Sequence, residues 1–149
     1  MIETDVTIIG GGPIGASVAQ KISKKGYKVV IIEKNKEIGQ HIQCAGLVTS
    51  RIFKLIDINK NETLQNKIKG AHIHSPSNHI LTLGGNKTHA LVIDRQLFDK
   101  KLIENSVDNN TQIYRNEKFI ETVKKDNQLK IKTNKKNVYK TKLLIGADG

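Results

Sequence analysis

The sequence predicts an α/β fold that starts with a βαβ unit and continues with inserted antiparallel strands and a three-stranded meander. Three features favour this class: a glycine-rich turn after an apolar strand, helical spacing of apolar residues after that turn, and alternating polar and apolar residues in the last third. A chain of 149 residues is long enough to bury a core, and no linker divides it. We therefore expect one domain over residues 1–149.

The βαβ unit occupies the first 33 residues. β-branched residues at 6–9 predict a first strand, and the apolar run at 27–32 predicts a second strand buried in a parallel sheet. Between them, apolar residues four positions apart predict a helix. Gly26 can end that helix, because glycine readily adopts the left-handed conformation.

The pattern changes after Glu33. We expect a loop over residues 34–45, a short helix over residues 46–56, and a later helix capped by Asp94. We expect a hairpin of strands at 68–75 and 80–83, and a short strand before Asp94 at 91–93. The expected meander has strands at 111–114, 118–123 and 129–133, and a last strand at 138–145 rejoins the parallel sheet.

The net charge of +11 comes from lysine rather than arginine. Of the 25 basic residues only three are arginine, aromatic residues make up 4% and tryptophan is absent, so the forked and stacking contacts typical of nucleic-acid surfaces are scarce. We therefore expect no nucleic-acid partner. The lysines within 130–142 are interpreted as the solvated face of the meander, with docking to an anionic membrane surface as the alternative.

Cysteine content and hydropathy favour a cytoplasmic protein. The single cysteine, Cys44, excludes a disulfide framework and a cysteine-rich zinc module. No apolar run approaches the roughly 20 residues that cross a bilayer, and acidic residues stand where a secretory signal carries basic ones. His72, His74 and His79 are interpreted as solvated strand residues, because no nearby carboxylate or cysteine completes a ligand set. We therefore expect no metal site.

The turn Gly10-x-Gly12-x-x-Gly15 has the spacing of dinucleotide-binding loops. The first glycine permits the tight turn, the second lets a pyrophosphate approach the backbone, and the third lets helix and strand pack closely. The N–H groups at the helix start then face the phosphates. Glu33 closes the second strand, where its carboxylate can accept hydrogen bonds from both adenosine ribose hydroxyls and would repel the 2′-phosphate of NADP. The sequence therefore predicts a site for the adenosine diphosphate part of NAD or FAD.

The order of the later elements favours FAD. A simple NAD domain repeats the βα pattern, whereas this chain continues with a hairpin, a helix and a meander. Together with Glu33-Lys34 and the turn Gly146-Ala147-Asp148-Gly149, this arrangement resembles the glutathione-reductase-like FAD flavoproteins. The resemblance implies a Rossmann-like FAD/NAD(P)-binding fold.

Two further segments narrow the resemblance. Glu37-Ile38-Gly39, followed by Gln43-Cys44-Ala45-Gly46-Leu47-Val48, is similar to the geranylgeranyl reductase family. The stretch Asp94-Arg95-x-x-Phe98-Asp99 is similar to the same family. The similarity covers essentially the whole chain but only the first third to two-fifths of the family's chains. We therefore expect the N-terminal part of an FAD-binding domain, without the family's second flavin motif or substrate domain, and inactive by itself.

The resemblance implies a set of cofactor contacts. Gly10, Gly12, Ile14 and Gly15 would bind the pyrophosphate, and Glu33, with Lys34 beside it, would bind the ribose. Cys44, Ala45 and Gly46 would line the isoalloxazine ring, and Arg95 would contact the phosphate or ribityl part. The Phe119 backbone would lie by the adenine, and Asp148 would close the site. Cys44 is thereby the catalytic candidate on the flavin side, and the alternative is a small buried hydrophobe. Arg95 could instead pair with a neighbouring aspartate on the helix surface.

The same resemblance implies a function for the complete enzyme. It would be an FAD-dependent oxidoreductase that saturates isoprenoid (geranylgeranyl) double bonds of lipids by hydride transfer from reduced flavin, at the inner face of the membrane. Its external reductant would be NAD(P)H or reduced ferredoxin. The alternative enzyme is a flavin monooxygenase of the aromatic hydroxylase type. It shares the Gly10–Gly15 turn, Glu33, Arg95 and Asp148 but does not need Cys44-Ala45-Gly46. A non-catalytic FAD-binding fragment is the alternative from another class.

Overall fold

The computed structural model describes residues 1–40, 44–108, 110–125 and 128–149. They form two compact units: a sheet unit of residues 1–40 and 99–149, and an inserted unit of residues 41–98. In chain order the elements are β1 Ile2–Ile9, α1 Pro13–Ser23, β2 Val29–Ile32, β3 Leu47–Val48, α2 Ile52–Leu55, α3 Lys60–Thr63, β4 Leu64–Ile68, β5 Gly70–His74, β6 Ile80–Gly84, β7 Ala90–Ile93, α4 Arg95–Ser106, β8 Thr111–Tyr114, β9 Phe119–Lys125, β10 Gln128–Thr133 and β11 Val138–Gly146.

The sheet unit is built on six strands in the order β8-β2-β1-β11-β10-β9. The first four strands are mutually parallel, and β9, β10 and β11 form an antiparallel meander. All four residues of β2 are buried, as expected for a parallel strand covered on both faces. The carboxyl ends of β1, β2 and β11 therefore meet at one edge of the sheet, where the predicted nucleotide site lies.

The βαβ start is confirmed. Helix α1 begins with Pro13 in its first turn, where the missing N–H costs nothing, and Gly12 is its N-cap. Gly26 follows the helix with a φ of +87°, the left-handed conformation expected after its end. Asp94 also caps α4 as expected, because its carboxylate accepts a hydrogen bond from the Leu97 N–H at 2.9 Å.

The prediction for residues 111–114 was wrong. They were expected in the meander, but β8 pairs in parallel with β2, with Thr111 opposite Val29 and Tyr114 opposite Ile32. The meander instead consists of β9, β10 and β11. The chain therefore does form a second parallel crossover after β2, with the inserted unit placed ahead of β8. The sequence pattern of a four-residue strand predicts that a strand forms but not which strand it pairs with, and the placement in the meander was wrong for this reason.

The inserted unit contains an antiparallel sheet in the order β3-β7-β4 and a separate hairpin of β5 and β6. Its buried residues include Leu91, Ile93 and Phe98, and the rings of Phe53 and Phe98 meet edge to face at 6.3 Å. The helix expected over residues 46–56 is shorter, since residues 47–48 form β3 and α2 is a single turn. Within the described ranges, no helix is long and apolar enough to cross a membrane.

Candidate cofactor site

The glycine turn lies directly against the chain's last residues. The Gly10 N–H donates to the Ile32 carbonyl at 2.8 Å, and the Ala147 N–H donates to the Ile9 carbonyl at 2.7 Å. Gly10 has a φ of +103°, and a Cβ built on it would overlap the Ala147 carbonyl and lie 3.0 Å from the Cα of Asp148. No side chain fits at this position. The two turns that the sequence singled out thus share one edge of the sheet.

Gly12 and Gly15 have different surroundings. A Cβ on Gly15 would overlap the carbonyl oxygen of Gly10, so this glycine is needed for the close packing of α1 on the turn. A Cβ on Gly12 would meet nothing within 4 Å, and the backbone of Gly12 is in an extended conformation that any residue can adopt. Neither packing nor backbone conformation therefore requires glycine here. The space above Gly12 is therefore open, as a pyrophosphate requires.

The start of α1 provides donors at this opening. The first hydrogen bond of the helix runs from the Ala16 N–H to the Gly12 carbonyl at 2.9 Å, so the amides that precede Ala16 have no acceptor within the helix. Proline contributes none, which leaves the N–H groups of Gly12, Ile14 and Gly15 at the helix start. With the positive end of the helix dipole, they are suited to an anionic group. The Ile14 side chain is exposed beside them.

Glu33 is buried and aimed at the glycine turn. The residue is 7% exposed. One carboxylate oxygen accepts the Gly11 N–H at 2.7 Å, and the other accepts the Asn35 N–H at 2.8 Å. A carboxylate has about four acceptor positions, so each oxygen can accept one more hydrogen bond. Two ribose hydroxyls match this remaining capacity. The open space at Gly12, the donors of α1 and the oriented carboxylate together fit the adenosine diphosphate part of FAD.

Three other predicted contacts fall in the sheet unit. Asp148 is exposed and adjoins Gly10, and Lys34 is exposed directly after Glu33. Phe119 opens β9, and its side chain packs against the core cluster that includes Tyr139. Phe119 is therefore held in place by the core, and contact of its backbone with adenine stays a prediction.

The residues predicted to face the flavin ring lie in the inserted unit. Cys44 and Ala45 are exposed, and Gln43 of the same motif lies outside the described residues. Gly46 has a φ of +74°, and its carbonyl accepts the Ile93 N–H at 3.0 Å. A Cβ on Gly46 would overlap the Ile93 carbonyl and lie 3.4 Å from Cγ of Arg95. The glycine of the cysteine loop therefore lies near the Arg95 side chain. Contact of either residue with the cofactor stays a prediction.

Three lysines of the expected basic face are paired with acids. Lys132 contacts Glu121 at 2.6 Å, and Lys140 contacts Glu3 at 3.2 Å. Lys142 contacts Asp5 at 2.8 Å, and this hydrogen bond is the main cause that lowers the pKa of Asp5 and raises that of Lys142. These pairs reduce the positive charge that the face would offer to an anionic membrane.

Sequence reasoning missed one buried acid. Glu117, between β8 and β9, is 2% exposed and accepts a hydrogen bond from the Tyr139 hydroxyl at 2.8 Å. Burial, together with this hydrogen bond to an anion, raises the pKa of Tyr139 above its ordinary value. No local sequence pattern distinguishes this glutamate from the acids at the surface of the chain. Among the described residues, no group of three or more His, Cys, Asp or Glu side chains is arranged to hold a metal.

Comparison with known proteins defines the class. The FAD binding domain family matches residues 3–149, and the chain belongs to this family. Its cofactor is therefore FAD, as the glycine turn, Glu33 and the interrupted βα order predicted.

The resemblance to geranylgeranyl reductases is also confirmed. The chain is 34% identical, over 97% of its length, to the digeranylgeranylglycerophospholipid reductase of Methanococcus vannielii. It covers 38% of that relative, so it spans well under half of the protein that it matches. A solved structure from Thermoplasma acidophilum, described as geranylgeranyl bacteriochlorophyll reductase-like, matches with a TM-score of 0.83 and 27% identity over 100% of this chain and 40% of that one.

The fold is also shared with a monooxygenase. The p-nitrophenol 4-monooxygenase of Pseudomonas putida matches with a TM-score of 0.78 and 18% identity over 100% of this chain and 42% of its own. At this identity the likeness concerns the fold alone.

Proposed function

We propose that residues 1–149 are the FAD-binding part of an oxidoreductase that saturates isoprenoid (geranylgeranyl) double bonds of lipids. The observation that carries this proposal is the 34% identity to a digeranylgeranylglycerophospholipid reductase over nearly the whole chain. Because the chain spans 38% of that relative, we propose the reaction and its substrate for the complete enzyme and not for these 149 residues alone.

The residues of the sheet unit hold the adenosine diphosphate part of the cofactor in this proposal. The pyrophosphate lies over Gly12 at the start of α1, where Gly10 and Gly15 allow the turn to close. Glu33 accepts hydrogen bonds from the ribose hydroxyls, with Lys34 beside it. We assign to Asp148, which is exposed and adjoins Gly10, the closure of this part of the site.

The cysteine loop contributes the flavin side. We assign Cys44, Ala45 and Gly46 to the wall beside the isoalloxazine ring, and Arg95 to the phosphate or ribityl part. A Cβ built on Gly46 would lie 3.4 Å from Cγ of Arg95, so the loop and the arginine are neighbours, which supports their assignment to one cofactor. When bound and reduced, FAD would supply a hydride to one carbon of the double bond, and a proton would add to the adjacent carbon. The chain's own contribution is to bind and orient the cofactor and to exclude water around it. The exposed thiol of Cys44 is the candidate for direct contact with the reacting centre.

A chimera tests this function. The chain replaces the aligned segment of the Methanococcus vannielii relative, and the purified protein is loaded with FAD, reduced with dithionite and given a digeranylgeranyl glycerophospholipid. Under anaerobic conditions we expect the lipid to gain one pair of hydrogens for each double bond. The unmodified relative is the positive control, and the same chimera with Glu33→Ala should fail to retain FAD.

A flavin monooxygenase is the second candidate, favoured by the shared fold of the p-nitrophenol enzyme. In that case the anaerobic reaction would leave the lipid unsaturated. An aerobic reaction with NAD(P)H in place of dithionite would consume oxygen in step with a hydroxylated product. A chimera that retains FAD and catalyses neither reaction would indicate a non-catalytic FAD-binding module. Supplying NAD(P)H or reduced ferredoxin in place of dithionite then identifies the external reductant.

A further inference from the structure

Glu117 is a buried carboxylate held by three neutral donors. One of its oxygens accepts hydrogen bonds from the Thr133 hydroxyl at 2.5 Å and the Tyr139 hydroxyl at 2.8 Å. The Asn137 amide donates to both oxygens, at 2.9 and 3.0 Å. Burying an acid is expensive, and an apolar residue of similar volume commonly serves stability as well. Filling the core therefore does not by itself account for a carboxylate at this position.

The backbone of Glu117 is joined to the strand end that carries the ribose-binding carboxylate. The Glu117 N–H donates to the Glu33 carbonyl at 2.9 Å, and the Asn116 N–H donates to the Asn35 carbonyl at 3.0 Å. The Glu33 N–H in turn donates to the Tyr114 carbonyl at 2.8 Å. Residues 114–117 thus run beside residues 33–35 and fix them on one side, while the Glu117 carboxylate ties the same segment to the meander on the other.

Asn35 completes the connection. Its N–H donates to the Glu33 carboxylate at 2.8 Å, while its carbonyl accepts the Asn116 N–H. A displacement of the loop at Glu117 would therefore move one of the two amides that orient the Glu33 carboxylate, and the bond to Gly11 would have to adjust. We infer that Glu117 is a positioning residue for the cofactor site, which fixes the Glu33 carboxylate for the adenosine ribose. This inference rests on the proposed contact between Glu33 and the ribose.

The Glu117→Gln variant tests the inference, with ADP as the probe. Its amide group cannot satisfy both donors of Asn137, so the loop shifts while the side-chain volume is kept. We expect ADP to bind the folded variant about tenfold more weakly by calorimetry, which is the size of one weakened hydrogen bond to a charged group. The Gly11 amide resonance of the nucleotide-free protein should also move, because this N–H donates to Glu33.

A compensating change separates positioning from stability. In the double variant Glu117→Gln with Asn137→Asp, donor and acceptor exchange places and the net charge of the pair is kept. We expect the double variant to recover both the ADP affinity and the Gly11 resonance. If Glu117→Gln lowers the melting temperature but leaves ADP affinity and the Gly11 resonance unchanged, the residue is only structural and the inference is overturned.

Two further measurements keep the test decisive. Should Glu117→Gln fail to fold, Tyr139→Phe removes one donor and leaves the carboxylate. We then expect a smaller loss of ADP affinity and a smaller Gly11 shift, and the absence of both overturns the inference. Wild-type protein that binds no ADP would contradict the ribose site itself, and the inference with it. Wild-type binding with unaltered variants contradicts the role of Glu117 alone.

Discussion

Replacing Gly12 with alanine separates the binding role of the glycine turn from its packing role. The backbone at Gly12 has φ −71° and ψ −174°, which alanine adopts without strain, and the added Cβ meets nothing within 4 Å. Alanine is a poorer N-cap than glycine, by up to about 1 kcal/mol. Loss of backbone freedom in the unfolded chain offsets this by about 0.4–1 kcal/mol. The free energy of unfolding should therefore change by less than about 1 kcal/mol.

Cofactor binding should respond very differently. The new methyl group fills the space that we assign to the pyrophosphate, directly in front of the free amides of α1. Displacing the phosphates from two such amides loses hydrogen bonds to a charged group, each worth about 1.5–3 kcal/mol. The dissociation constant for ADP should consequently rise by about 100-fold or more.

Urea unfolding and calorimetric titration with ADP measure the two effects. Gly85→Ala is the matched control, because a Cβ there also meets nothing within 4 Å, and it should change neither quantity. Gly15→Ala should instead unfold easily, since its Cβ overlaps the Gly10 carbonyl. If Gly12→Ala bound ADP as tightly as the wild type, the space at Gly12 would not be the pyrophosphate site.

Three further predictions concern charged and buried groups. Glu33→Ala leaves the buried N–H of Gly11 without its acceptor, so urea unfolding should show a loss of about 1–3 kcal/mol, and calorimetry should show loss of ADP binding. Because the pKa of Asp5 is lowered, its pair with Lys142 stabilises the protein above the ordinary aspartate pKa, and this stabilisation is lost as the pH falls. Asp5→Asn should therefore make the loss of stability at acid pH less steep in urea unfolding measured over a pH series. An equally steep loss would contradict this. The raised pKa of Tyr139 stabilises the fold below the ordinary tyrosine pKa, and this contribution is lost at higher pH. Tyr139→Phe should therefore weaken the alkaline loss of stability in a pH series of thermal melts, and an equally steep loss would refute the assignment.

The first 33 residues could be predicted because their signals are local. The turn needs glycine at positions where a side chain would strike the backbone, the helix needs apolar residues at a fixed spacing, and Gly26 needs the left-handed conformation. The capping of α4 by Asp94 is equally local. In each case, residues only a few positions away determine which residue type fits.

The features that were missed depend on distant partners. The residues of β8 are compatible with either a meander or a parallel edge, and only the crossover through α4 decides between them. Glu117 resembles the other acids of a charged chain, and its importance follows from donors 16 to 22 positions further on. Pairing between strands and burial of a single acid are set by the folded chain as a whole.

A crystal structure of the chain with ADP would show where the nucleotide binds. We expect the pyrophosphate over Gly12 at the start of α1, and both ribose hydroxyls within about 2.5–3.0 Å of the Glu33 carboxylate. Nucleotide bound elsewhere, or a Glu33 side chain turned away from the ribose, would contradict it.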